Sequence, residues 1–186
     1  INKKIMNKNN DTELKEIYQQ KTDKEHILDN PDTYIGSIEN IQHSEFIYKD
    51  NNSFQEKVIN YNPGLFKLFD EGIVNCRDHY IRMKNKKDKI SSDEMVSQIN
   101  ITINDGMITL YNNGNGIDIV KHPEYKIWIP ELIFGHLRTS TNYNKNEKKI
   151  TGGKNGFGFK LVLIWSTYGK IETIDHIRKL KYIQEF

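Results

Sequence analysis

Three short stretches hold side chains whose types and spacing suit chemistry. In Phe69-Asp70-Glu71-Gly72-Ile73-Val74-Asn75-Cys76-Arg77-Asp78-His79, helical spacing aligns Glu71, Asn75 and either Asp78 or His79 on one stripe. A carboxylate and a carboxamide one turn apart are suited to hold a water for attack and to complete a magnesium shell with a neutral oxygen. Taken alone, the same stripe is also an ordinary solvated helix face. Asn112-Asn113-Gly114-Asn115-Gly116-Ile117 is by itself a turn. Set directly after a strand, it also places a polar side chain where it could bond the edge of an adenine, while Gly114 and Gly116 let the backbone come close. Thr151-Gly152-Gly153-Lys154-Asn155-Gly156-Phe157-Gly158-Phe159-Lys160 opens a helix, where free backbone N–H groups and the helix dipole favour phosphates. It is neither of two common phosphate-binding patterns: Phe159-Lys160 follows Gly158 where the first requires Lys-Ser or Lys-Thr, and Leu161 replaces the third glycine of G-x-G-x-x-G.

The elements that must carry these stretches can be read from periodicity. Phe46 to Ile59 predicts two strands joined by a turn at Lys49–Ser53, and Asn62-Pro63-Gly64 precedes an amphipathic helix of about twenty residues. Leu65, Phe66, Leu68, Phe69, Ile73, Cys76, Tyr80 and Ile81 mark its expected apolar face. Gln98 to Ile103 alternates strictly, Asp105-Gly106 signals a hairpin, and Met107 to Tyr111 returns. A short helix around Glu131 to Leu137, a buried helix from Phe159 to Trp165 and strands at Lys170–Ile174 and Leu180–Ile183 complete the chain. The order predicts an α/β sandwich, with helices layered on one face of a mixed sheet. Residues 1–29 are mostly polar and read as an arm with at most a helical turn at Glu13–Tyr18, leaving 30–186 as the compact domain.

Composition narrows the function classes. The chain has 186 residues, 36% hydrophobic and 28% charged, which suits one domain with a core of its own. No run approaches a membrane span and the polar opening lacks a signal-peptide centre, so an intracellular protein without membrane contact is expected. Cys76 alone excludes an internal disulfide and a cysteine zinc cluster, and the histidines show no close pair at ligand spacing. A net charge of +2 is too small to nominate DNA as a direct ligand. The absence of alanine and the four arginines against twenty-three lysines match A/T-rich codons, which speaks of a genome and not of a function.

The order of the three stretches carries more than any one of them: an E-x-x-x-N helix, an N-x-G-x-G turn after a strand, then a Ser/Thr loop running into a G-x-G helix start. This arrangement resembles the GHKL (Bergerat) ATPases. KTDKEHILDNPDTYIGSIE, YNPGLFKLFDEGIVNCRDH, LYNNGNGIDIVKH, IPELIFGHLRTSTNYN and KKITGGKNGFGFKLVLIWS resemble the N-terminal ATPase region of eukaryotic-type DNA topoisomerase II, over nearly the whole chain from Tyr18. Asn112 and the Lys154-Asn155 pair favour the eukaryotic or large-DNA-virus branch over bacterial gyrase, which would show D-x-G-x-G. The implied fold is a two-layer sandwich with helices on one face of a mixed, mostly antiparallel sheet, an N-terminal strap and a sheet incomplete at its C-terminus.

The resemblance implies roles residue by residue. Glu71 is implied as the general base and Asn75 as the Mg2+ ligand that joins the ion to ATP. Asn112 is implied near the base, Ser140, Thr141 and Asn142 on ribose and phosphates, and Lys154, Asn155, Gly156, Phe157, Gly158 and Lys160 around the phosphates. Tyr18 is implied as the strap tyrosine that reaches the nucleotide of a second copy in a homodimer. The chain departs from the family twice: His79 replaces an asparagine that helps with phosphate, and Asp118 stands where the family has proline. The whole enzyme would pass double-stranded DNA through a gate closed by ATP, in a nucleus or, for a virus, in a viral factory or virion. The segment, read as a fragment, would not cleave DNA alone. The alternative is a non-catalytic nucleotide-binding or dimerisation module, or another ATPase of the same superfamily.

Overall fold

The computed structural model describes residues 21–50, 52–85, 91–137, 139 and 156–186. The helical turn expected at Glu13–Tyr18 lies outside them. The first element is a helix, α1 (Asp23–Asp29), within the stretch read as an arm. A capping box starts it: the Thr22 hydroxyl accepts from Glu25 N at 3.2 Å while Glu25 Oε2 accepts from Thr22 N at 2.8 Å. Those bonds from Thr22 also hold the Glu25 carboxyl below its ordinary value. Asn30-Pro31 ends α1 and opens the single turn α2 (Pro31–Tyr34), which His26 Nδ1 ties back through the Tyr34 hydroxyl at 2.9 Å. Ile27 is fully buried, so this helix packs with the domain.

Next come β1 (Ile41–Lys49) and β2 (Ser53–Tyr61), paired antiparallel. The long helix α3 (Pro63–Lys84) starts where the Asn62 side chain accepts from Leu65 N at 2.9 Å and proline takes the first helical position, where no N–H is required. Its buried residues are Gly64, Gly72, Cys76, Asp78 and Met83. Leu65 and Phe66, expected on the apolar face, are exposed instead. Gly72 allows close approach: a Cβ there would overlap Leu110 Cδ1 and touch Phe159. A short 3₁₀ turn (Ser92–Glu94) then leads into the hairpin of β3 (Ile99–Asn104) and β4 (Met107–Asn112), at the register the Asp105-Gly106 turn demands.

Two short helices follow, α4 (Ile129–Gly135) and α5 (Gly158–Trp165), then the hairpin of β5 (Lys170–Asp175) and β6 (Leu180–Glu185). Helix α5 is the hub, packed against α1, α3 and α4. The core gathers Ile27, Ile35 and Leu161 with Tyr34, Leu68, Leu137, Phe157, Ile164 and Trp165 around them. The architecture is mixed α/β, as expected. Its described strands pair only as three separate two-stranded pieces, in place of the single layered sheet read from the sequence.

What joins β3–β4 to β5–β6 is the turn after β4. Gly116 has φ +72°, and a Cβ on it would collide with the Ile174 carbonyl oxygen of β5. Neighbouring bonds seat the same turn: His176 N donates to Asn115 O at 3.0 Å and Ile117 N to the Thr173 hydroxyl at 3.1 Å. Gly116→Ala combines left-handed backbone strain with a backbone clash that no rotamer relieves. It is expected to cost about 2 kcal/mol or more, read as a lower midpoint in denaturant unfolding.

Candidate functional site

On α3, Glu71, Asn75 and His79 stand one turn apart, and each is held differently. Lys67, one turn earlier, grips Glu71 Oε1 at 2.5 Å and reaches Asp70 at 3.8 Å. The other carboxylate oxygen of Glu71 lies 3.4 Å from where a Cβ on Gly158 would sit, so the acid stands against the N-terminus of α5. First-turn amides of a helix have no intrahelical acceptor, and Gly158 and Phe159 occupy that turn. Asn75 donates its amide to the Glu71 carbonyl at 2.9 Å, which leaves its Oδ1 as an acceptor that meets no partner among the described residues. His79 is engaged by the glycine turn: its Nε2 is 3.1 Å from Asn115 Oδ1 and its Nδ1 3.4 Å from Asn112 Nδ2. Burial pushes this imidazole below its ordinary value, against the raising influence of the Asn115 bond and with that of the Arg82 charge.

Asn113 has a different task from its neighbours. Its Oδ1 accepts from Ser97 N and Gln98 N, both at 2.9 Å, and its Nδ2 donates to the Ser97 hydroxyl at 2.8 Å, clamping the entry to β3. Further on, Asp175 at the end of β5 is buried and accepts from Ile119 N at 2.8 Å and from Ile177 N and Arg178 N at 2.9 Å. Arg178 Nη1 adds a charged bond to Asp175 at 2.9 Å and reaches Asp118 at 2.6 Å. The aspartate standing where the family has proline therefore serves as the outer half of this latch.

At the start of α5, Gly156 has φ +69° and Phe157 turns its ring into the core against Tyr34, at 5.9 Å between centroids. Phe157 thus offers a ligand only its backbone. The Lys160 ammonium donates at 2.7 Å to each of Thr139 O, Thr139 Oγ1 and Gly156 O, the two residues that flank positions 140–155. Three N–H groups meet three oxygens. With the residue 5% exposed, burial lowers its pKa to about 8.

Of the residues singled out from the sequence, Glu71 is brought to Gly158, His79 to Asn112, and Lys160 to Gly156. Tyr18, Ser140, Thr141, Asn142, Lys154 and Asn155 lie outside the described residues. Sequence reasoning passed over Lys67, Thr139, Asn115, Asp175 and Arg178 as members of the site and its support. Lys67 carried a local signal, four residues before Glu71 on the same helix face, and so did Arg178, three residues after Asp175.

The described residues thus bring together a carboxylate at a glycine-led helix start, a carboxamide one turn on and an Asn-Gly turn locked beside them. The ATPase region of Saccharomyces cerevisiae topoisomerase II superposes with a TM-score of 0.81 at 42% identity, over 92% of this chain and 43% of that one. The "DNA topoisomerase 2" of Acanthamoeba polyphaga mimivirus is 44% identical over 182 residues, and that of Pisum sativum 46% identical over 173. The chain belongs with them as a homologue of the ATPase region of eukaryotic and viral DNA topoisomerase II. It spans 14% of the mimivirus protein and 11% of the pea protein. No protein-family profile matches it.

The latch at Asp175 generates a pH prediction. Burial opposes ionisation of Asp175, but the Arg178 and Ile119 amides and the Arg178 guanidinium outweigh it and hold the carboxyl down to about 2, from an ordinary 3.8. A depressed acid stabilises the fold above its unfolded pKa, and that contribution is lost as pH falls through about 2. Asp175→Asn is expected to lower stability at neutral pH by about 2 kcal/mol and to flatten the loss between about pH 4 and pH 2. Thermal melts across that range check both.

Proposed function

We propose that this chain binds and hydrolyses Mg2+-ATP as the ATPase part of a type II DNA topoisomerase. The observation that carries the reading is the seating of Glu71 against the N-terminus of α5, with Asn75 one turn behind it. Terminal phosphates attracted by the helix dipole and the first-turn amides would stand next to a carboxylate able to take a proton from an attacking water. Lys67 keeps that carboxylate turned in one direction.

The residues present fit a magnesium ion. Mg2+ keeps several waters and takes one or two protein oxygens beside the substrate phosphates. Asn75 offers such an oxygen, and among the described residues there is no cluster of three His, Cys, Asp or Glu to form an all-protein cage. When bound, the ion neutralises phosphate charge. In that setting Asn75 holds it through Oδ1, Glu71 receives the proton of the attacking water, and Asn112 meets the base. The Lys160 ammonium keeps positions 139 and 156 together at the mouth of the phosphate loop, and Ser140, Thr141, Asn142, Lys154 and Asn155 complete the contacts to ribose and phosphates.

The same reading extends to the whole assembly. In that assembly the three hairpins, which pair separately in the described chain, would join one sheet with the helices on one face, and Tyr18 would belong to a strap that reaches a second copy. ATP closes a homodimer that passes one DNA duplex through another, in a nucleus or a viral factory. No helix among the described residues is long and apolar enough to cross a membrane.

Glu71→Gln keeps the shape and removes the base. ATP binding is expected to survive with turnover falling by roughly 10²–10⁴-fold, measured by phosphate release beside calorimetric binding. Turnover at the unsubstituted rate contradicts the base assignment.

A further inference from the structure

The aligned stripe of α3 ends at His79, and both nitrogens of its ring are occupied by the glycine turn. Nε2 meets Asn115 Oδ1 at 3.1 Å and Nδ1 meets Asn112 Nδ2 at 3.4 Å. The same Asn112 nitrogen donates to the Asn113 carbonyl at 2.8 Å. A backbone carbonyl can only accept, so this bond settles which way the Asn112 carboxamide is turned. Its second N–H then points at His79 Nδ1, which accepts, and the ring proton sits on Nε2 and donates to Asn115. Both N–H groups of Asn112 are engaged inside the protein. Among the described residues its Oδ1 meets no partner, and it is the polar atom left to a ligand.

That asymmetry has a chemical meaning. Adenine presents an amino donor at the position where guanine presents a carbonyl acceptor. An oxygen held outward bonds the first and opposes the second. Turning the amide over to suit guanine would set its oxygen against the Asn113 carbonyl and the Nδ1 lone pair at once, two acceptor-to-acceptor contacts in a half-buried place.

We propose that His79 is a positioning residue for base selection: by accepting one Asn112 N–H it locks that carboxamide with its oxygen toward the ligand, so the site takes adenine nucleotides over guanine nucleotides. The proposal rests on the reading that Asn112 meets the base. It gives His79 a task carried out through Asn112, in place of the phosphate contact implied by its alignment.

The test compares Mg2+-ATP with Mg2+-GTP, by competition binding and by kcat and KM, in the protein that carries this segment. Asparagine sets its Oδ1 where the histidine Nδ1 stood, whereas glutamine reaches only the Nε2 position. H79N therefore keeps an acceptor for Asn112, and H79Q and H79L both lose it. H79Q and H79L are expected to lower the ATP-over-GTP preference roughly tenfold, through KM more than kcat, while H79N holds it within about threefold. In an Asn112→Ala background, H79Q should change the preference no further. Melting curves check folding, and H79L replaces H79Q if the latter does not fold. An unchanged preference in the acceptor-free variants, an equal loss in H79N, or a full further loss on top of Asn112→Ala overturns the proposal. An unsubstituted protein that binds neither nucleotide overturns the Asn112 reading itself, a result distinct from the others.

Discussion

The contact on which the rest of the structure depends is the seating of the turn 112–119 on the β5–β6 hairpin. The described strands share no continuous ladder, so β3–β4 and β5–β6 are joined by turn and latch. Gly116 permits its backbone to lie against Ile174, and Asp175 gathers the amides of residues 119, 177 and 178 around one buried carboxylate. An ionised group in that position is worth having only when every lone pair is matched, and here four N–H donors do so. With the turn fixed on one side by Asp175, its other side is free to present Asn112 and Asn115 to His79.

The second constraint is the approach of α3 to α5. Gly72 lets α3 lie on Leu110 of β4, where a Cβ would collide, and beside Phe159 of α5, and Glu71, its neighbour, stands against Gly158. The tight contact and the carboxylate are thus adjacent residues of one helix turn. The ammonium of Lys160 shows the cost of the same compactness, since burial disfavours its charge and three oxygens compensate.

Much of this was legible in the residues. The long helix, the three hairpins and the helix at Gly158 follow from apolar spacing and turn chemistry, which are local signals. The helix at Asp23–Asp29 had a local signal too, the Thr22 and Glu25 capping box, obscured by the polar composition around it. Other features lie beyond any local pattern. His79 meets residues 33 and 36 positions away, and Asp175 meets Ile119 across 56. Periodicity predicts which face of α3 is apolar but not how far along the helix that face is covered: Gly72 is buried against Leu110, while Leu65 and Phe66 in the first turn stand exposed.

The central claim is that the glycine turn after β4 and the start of α5 form one nucleotide site. Backbone hydrogen exchange with and without a non-hydrolysable Mg2+-ATP analogue tests it most directly. The account predicts slowed exchange at residues 112–119 and 156–160 together, with the β1–β2 hairpin unchanged. Saturating analogue that leaves both segments as they were, or that protects one without the other, would contradict it.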